Sequence, residues 1–194
     1  LVLGFCNRSP DCGAARKCRM TFFLDRLSSP IGPLLLVGRA DALLFLEFEA
    51  AADRLYQAFG RLCPDSTLVP GPAANGAGRR IAAYFEGDLA ALDAIAVQPR
   101  GTEFQRRVWQ ALRLIPPGTT MTYGRLAAAI GKPAAGRAVG HANGANPISI
   151  VIPCHRLIGA DRSLTGYGGG LERKAWLLRH EGAPVGRPPR GSSP

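Results

Sequence analysis

The run Ile148-Ser-Ile-Val-Ile-Pro-Cys-His-Arg-Leu-Ile-Gly159 carries the strongest chemical signal in the chain. An apolar, β-like stretch ends at Pro153 and sets Cys154 beside His155 and Arg156. A free thiol is mostly protonated at neutral pH, so a nucleophilic cysteine needs a base and nearby positive charge to raise its thiolate fraction. His155 and Arg156 supply one group of each kind. Neighbours in an extended chain point to opposite faces, so contact between the Cys154 sulfur and the His155 ring does not follow from adjacency, and a bridging water is the natural relay. The ordinary alternative is an inert, buried cysteine, as most free cysteines are.

The remaining composition narrows the setting. Five cysteines (Cys6, Cys12, Cys18, Cys63 and Cys154) are an odd number, which argues against a disulfide framework and fits a reducing compartment. The first three lie six apart, not a usual zinc spacing, and the first histidine is His141, so no metal is expected. No apolar run approaches the roughly 20 residues that cross a bilayer, which points away from a membrane protein. The net charge of +10 is uneven: residues 20–99 carry −3, residues 100–194 carry +10 and residues 1–19 carry +3. A basic C-terminal half attracts a polyanion through counterion release, and nucleic acid is the natural partner.

The elements that must position Cys154 follow from pattern. Short β-favouring runs over residues 21–27, 34–37 and 42–48 predict an antiparallel sheet, with Pro30, Gly32 and Pro33 in the first turn. Residues 51–59 and 79–85 have helical spacing, and Gly87 closes the second helix. Residues 91–97 read as one more strand, and 98–101 as a linker. Thr102 can cap a helix whose stripe is Phe104, Val108, Ala111 and Leu112, ending at Pro116 and Pro117. Two short helices, 122–130 and 134–142, joined across Gly131-Lys-Pro133, read as a helix-turn-helix whose second member faces DNA. The division is an extension over 1–19 ahead of Met20, which reads as the natural start, an α/β unit over 20–99, a DNA-binding and acceptor unit over 100–185, and a disordered tail over 186–194.

From about Thr102 to Gly182 the chain resembles the O6-alkylguanine-DNA alkyltransferases, also called methylated-DNA-protein-cysteine methyltransferases. The resemblance rests on Tyr123, Arg137-Ala-Val-Gly140, Asn146-Pro147, Ile152-Pro-Cys-His-Arg156, Gly166-Tyr-Gly-Gly169 and Trp176-Leu-Leu-Arg-His-Glu-Gly182, in one order. More loosely, Ser29-Pro-Ile-Gly-Pro33 and Tyr84-Phe-Glu-Gly87 resemble the bacterial members. The implied fold is α+β: a small antiparallel sheet with helices, ribonuclease H-like, then a helical, winged-helix-like domain with a helix-turn-helix. The implied activity is DNA repair by direct reversal, an irreversible one-step transfer of the alkyl group from O6-alkylguanine, and from O4-alkylthymine, to Cys154, which is then used up. No cofactor is implied. The implied partner is double-stranded DNA, bound by a cytoplasmic monomer associated with the nucleoid, with cooperative binding left open.

The resemblance also implies roles. His155 is a water-relayed base, Glu181 orients it, and Asn146 supports the turn around the cysteine. Tyr123 donates to the departing guanine. Leu157 and Cys154 present carbonyls to the guanine amino group, and Tyr167, Gly168 and Gly169 line the pocket, the two glycines leaving room for alkyl groups larger than methyl. Arg137 enters the duplex in place of an extruded base, and small Ala138, Gly140 and Ala142 let the helix approach DNA in the minor groove. The sulfur is then expected at the floor of a cavity sized for one purine. Taken singly, each has an ordinary alternative: Glu181 as a helix-end charge, Asn146 as a turn former, Tyr123 as a packed aromatic, Arg137 as a solvated charge. Rival readings are a non-enzymatic lesion-binding relative, which lacks the cysteine, a transcriptional regulator and a cysteine hydrolase.

Overall fold

The computed structural model describes residues 20–74 and 76–185. The extension with Cys6, Cys12 and Cys18, and the tail from 186, lie outside the described residues. Three strands, β1 (Thr21–Leu27), β2 (Leu34–Gly38) and β3 (Leu43–Phe48), pair antiparallel as predicted. A fourth, β4 (Thr67–Pro70), lies parallel to β1, so the sheet is mixed, in the order β3-β2-β1-β4. Pro70 hid this strand; at a sheet edge a proline costs no ladder bond, which is why it is tolerated there.

The central strands Leu-Leu-Leu-Val-Gly and Leu-Leu-Phe-Leu-Glu-Phe are buried throughout because both sheet faces are covered. On one face Leu35, Val37 and Phe45 pack with Leu55 and Phe59 of α1 (Ala52–Leu62). On the other, Leu34, Leu36, Leu43, Leu46 and Phe48 join the largest core, which also takes in Ile81 and Tyr84 of α2 (Ala77–Phe85). That core continues through Val108, Trp109 and Leu112 of α3 (Glu103–Arg113) to Ile148, Ile152, Cys154 and Leu177. Residues 91–97 do not form the expected strand: Leu89–Leu92 is a 3-10 turn, and Val97 touches β3 in a single bridge to Leu43.

The C-terminal half begins with a complete capping box. Thr102 accepts from the Gln105 amide, and the Gln105 side chain accepts from the Thr102 amide. After it, β5 (Met121–Thr122) runs into α4 (Tyr123–Ala129), and α5 (Gly136–Gly144) follows the Gly131 turn, so the predicted helix-turn-helix is present. β6 (Leu157–Ile158) pairs parallel with β5, and α6 (Leu171–His180) closes the fold. Among the described residues no helix is long and apolar enough to cross a membrane.

Candidate active site

The run Ile148–Ile152 is not a strand, contrary to its apolar composition. It is an irregular loop pinned at its start to β3, the Leu46 amide donating to the Pro147 carbonyl (2.9 Å) and the Ser149 amide to the Leu46 carbonyl (2.8 Å). Asn146 holds the inside of that loop. Its Oδ1 accepts from the Ile148 amide (3.0 Å) and its Nδ2 donates to the Ile152 carbonyl (2.9 Å). Ile150 has φ of 71°, a left-handed conformation costly for a β-branched residue, so the loop is over-determined by its surroundings. Beyond Pro153, residues Cys154–Arg156 form a single 3-10 turn rather than extended chain.

Cys154 is buried at 5% exposure and opens on a cavity of about 20 Å³ lined by Arg54, Asn143, Gly144, Asn146, Ser149, Gly166, Tyr167 and Gly168. A cavity needs roughly 10–15 Å³ for a single water, so this one admits a water and no purine. The cavity at the sulfur is therefore smaller than the expected base-sized pocket, with the Arg54 side chain and the exposed Gly166 and Gly168 in its lining. Nor do the glycines leave spare room. A β-carbon on Gly168 would lie 2.6 Å from the Arg54 guanidinium, and one on Gly169 2.4 Å from the Phe48 ring.

Burial pushes the Cys154 thiol up, opposed by Asn146 and the Lys174 ammonium. The positive charge near the sulfur is thus Lys174, not Arg156 as the sequence suggests. Lys174 is fully buried, with Nζ donating to the carbonyls of Leu157 and Thr165 (2.8 Å to the latter), and burial lowers its pKa to about 8. Arg156 is instead committed to Glu181: Nε donates to Oε2 (2.9 Å) and Nη2 to Oε1 (2.8 Å), while Nη1 reaches the Ile115 carbonyl.

Glu181 lies one residue past α6, yet is 4% exposed and meets His155 Nε2 at 2.9 Å. Its burial favours the neutral acid, but hydrogen bonds from His155 and Arg156 outweigh that and hold it at about 2. The group is a carboxylate, so it only accepts, and Nε2 must carry the hydrogen. Burial lowers the pKa of His155, so the ring is neutral and Nδ1 is its bare acceptor; Nδ1 has no protein partner. The Tyr84 hydroxyl donates to the same Glu181 Oε1 at 2.9 Å.

Tyr123 begins α4, whose cap is Thr122, and its hydroxyl accepts from Thr165 Oγ1 (3.0 Å), leaving its own hydrogen to donate. Tyr123, Arg137, Gly140 and His141 line a groove of about 590 Å³ between α4 and α5. Arg137 and Ala138 are exposed on α5, and Gly140 is half-buried. Ala142 is a correction: it is 3% exposed, and its carbonyl accepts from Trp109 Nε1 (2.8 Å), so it serves the core and not a DNA face. Leu157 is fully buried, Tyr167 packs edge-on to His155 at 6.5 Å, and its hydroxyl has no protein partner. Sequence reasoning missed Lys174, Asn143, Arg54 and Tyr84. Lys174 was findable, since with Leu171, Leu177 and Glu181 it falls on one face of the last helix, a charge within an apolar stripe.

A buried thiol next in sequence to a buried histidine-carboxylate pair, together with a helix-turn-helix that exposes an arginine, is an arrangement suited to a protein that presents a cysteine to nucleic acid. Residues 103–183 match the family model described as 6-O-methylguanine DNA methyltransferase, DNA binding domain. A methylated-DNA--protein-cysteine methyltransferase of Salmonella typhimurium is 49% identical over 161 residues, covering 81% of this chain and 94% of the relative. One from Methanosarcina acetivorans is 46% identical, covering 80% and 95%. The crystal structure of Mycobacterium tuberculosis OGT in complex with DNA aligns with a TM-score of 0.69 at 44% identity, over 84% of this chain and 96% of that one. The chain belongs to the methylated-DNA--protein-cysteine methyltransferase family.

Proposed function

We infer that this protein repairs DNA by direct reversal, taking the alkyl group of O6-alkylguanine, and of O4-alkylthymine, onto the Cys154 sulfur. The observation that carries the reading is the ordered set Cys154, neutral His155 with Nδ1 unpartnered, and ionised Glu181, beside a helix-turn-helix. The sulfur–carbon bond forms as the carbon–O6 bond breaks, and the electron pair leaves with the guanine. The thiol proton passes through a water to His155 Nδ1, while Tyr123 donates a proton to the departing base and recovers one afterwards. The net result is guanine and a thioether, and water does not displace a thioether, so each molecule acts once.

The target atom lies within a stacked pair, so the nucleotide must be extruded, at a cost of about a few kcal/mol. Arg137, exposed at the start of α5, takes the vacated place, with Ala138 and Gly140 allowing close approach. The carbonyls of Cys154 and Leu157 and the loop Tyr167–Gly169 then hold the base, once the cavity at the sulfur has widened. The units are residues 20–99 and 100–185, working as a monomer in the cytoplasm at the nucleoid. The test compares duplex DNA with free O6-benzylguanine: Arg137→Ala should lose about tenfold or more of transfer from duplex and keep transfer from the free base. Equal losses on both substrates contradict the extrusion role. Cys154→Ser should bind the duplex and transfer nothing.

A further inference from the structure

The Glu181 carboxylate collects four hydrogen bonds from three side chains on two halves of the chain. Oε1 accepts from Tyr84 (2.9 Å), from His155 Nε2 (2.9 Å) and from Arg156 Nη2 (2.8 Å), and Oε2 accepts from Arg156 Nε (2.9 Å). Arg156 is the immediate neighbour of His155, so its presence follows from the local turn. Tyr84 does not. It comes from α2, ninety-seven positions away, is fully buried, and its hydroxyl points into the polar centre of a core otherwise built of aliphatic and aromatic groups. A phenylalanine would fill the same space without having to bury a hydroxyl, whose transfer from water is unfavourable unless a partner is met.

We propose that Tyr84 is a positioning residue of the acceptor site: its hydroxyl, together with the Arg156 guanidinium, holds Glu181 as a carboxylate and limits how strongly Glu181 draws a proton onto His155. The logic is one of competition. A carboxylate oxygen shared among several donors is a weaker acceptor for each, because each donor stabilises the same negative charge. With Tyr84 in place, Glu181 fixes the imidazole with hydrogen on Nε2 and still leaves the ring neutral, so Nδ1 is free to receive the thiol proton. Without that hydroxyl the carboxylate pairs more strongly with an imidazolium, and His155 stays protonated, and useless as a base, up to a higher pH.

The groups that face this pair come from every surrounding element. Tyr84 stands on α2, Cys154 and Arg156 flank His155 on the 3-10 turn, and Tyr167 lies edge-on to it, while Glu47 of β3 acts on Cys154 and Tyr167 rather than on the pair. Lys174 and His180 come from α6; His180 packs 5.0 Å from the Tyr84 ring and donates through Nε2 to the Tyr84 carbonyl (2.7 Å). None of these but Tyr84 and Arg156 donates to Glu181 besides His155 itself among the described residues. This assignment rests on Cys154 being the alkyl acceptor.

The experiment is the single-turnover rate of methyl transfer from duplex DNA carrying O6-methylguanine, followed against pH for the unmodified protein and Tyr84→Phe. In Tyr84→Phe the acid limb should move to higher pH by about half a unit or more. A superimposable limb, or a loss by the same factor at every pH, overturns the assignment. A second measurement needs no variant: nitrogen NMR of imidazole-labelled protein should show His155 neutral with hydrogen on Nε2 at neutral pH, and hydrogen on Nδ1 or a charged ring overturns it. If the unmodified protein moves no methyl to Cys154, the acceptor reading itself fails; if it does and only the limb is unmoved, Tyr84 alone loses its role.

Discussion

Burial favours the protonated Cys154 thiol, so the proposed transfer requires a group that takes its proton. Asn146 and the Lys174 ammonium act against that burial, and Glu181 pre-sets the neutral His155 imidazole in one tautomer. Glu181 also has a structural consequence. Its folded pKa of about 2 lies below the ordinary 4.5, so it stabilises the fold fully above about 4.5, and that contribution is lost as pH falls from there toward 2. Glu181→Gln leaves the Arg156 charge buried without its partner and should cost about 3–5 kcal/mol at neutral pH. Denaturant unfolding across that acidic window should show a flatter pH dependence in the variant; an unchanged slope rejects the ionised state assigned to Glu181.

At the scale of elements, the cap of α3 is separable from the chemistry. Thr102→Ala removes one half of the capping box and should lower stability by about 1 kcal/mol, read from urea unfolding, while transfer to Cys154 is unaffected. The cap, the helix-turn-helix and strands β1 to β3 were legible because each rests on local signals: Thr102 with Gln105, Gly131 with Pro133, and apolar runs between turn residues. The loop Ile148–Ile152 was misread because its apolar side chains serve burial against β3, which composition does not distinguish from a strand. β4 was not predicted because Pro70 masks it and its pairing partner β1 is distant in sequence, and the strand expected over 91–97 gives way to the 3-10 turn at Leu89–Leu92 and a single bridge from Val97 to Leu43. Within the site, Cys154, His155, Asn146 and Glu181 were accessible through linked motifs. Tyr84 was quoted in one of those motifs without a role, because its contact spans the two halves.

The whole molecule divides its labour by charge and shares its core. The basic excess lies in residues 100–194 while residues 20–99 are net acidic, so the C-terminal half is the part that draws a polyanion. Binding to undamaged duplex should weaken roughly tenfold or more between about 50 and 200 mM salt, measured by fluorescence anisotropy. A salt-independent affinity removes the electrostatic account. The acidic half is not a passenger: β3 pins the loop that leads to Cys154, and α2 delivers Tyr84 to Glu181. All of these features converge on one sulfur. The most direct test mixes the protein with duplex DNA carrying a labelled O6-methylguanine and maps the label by peptide mass spectrometry. The account predicts label on Cys154 alone, reaching one equivalent and then stopping. Label on another residue, or methyl release with repeated turnover, would contradict it.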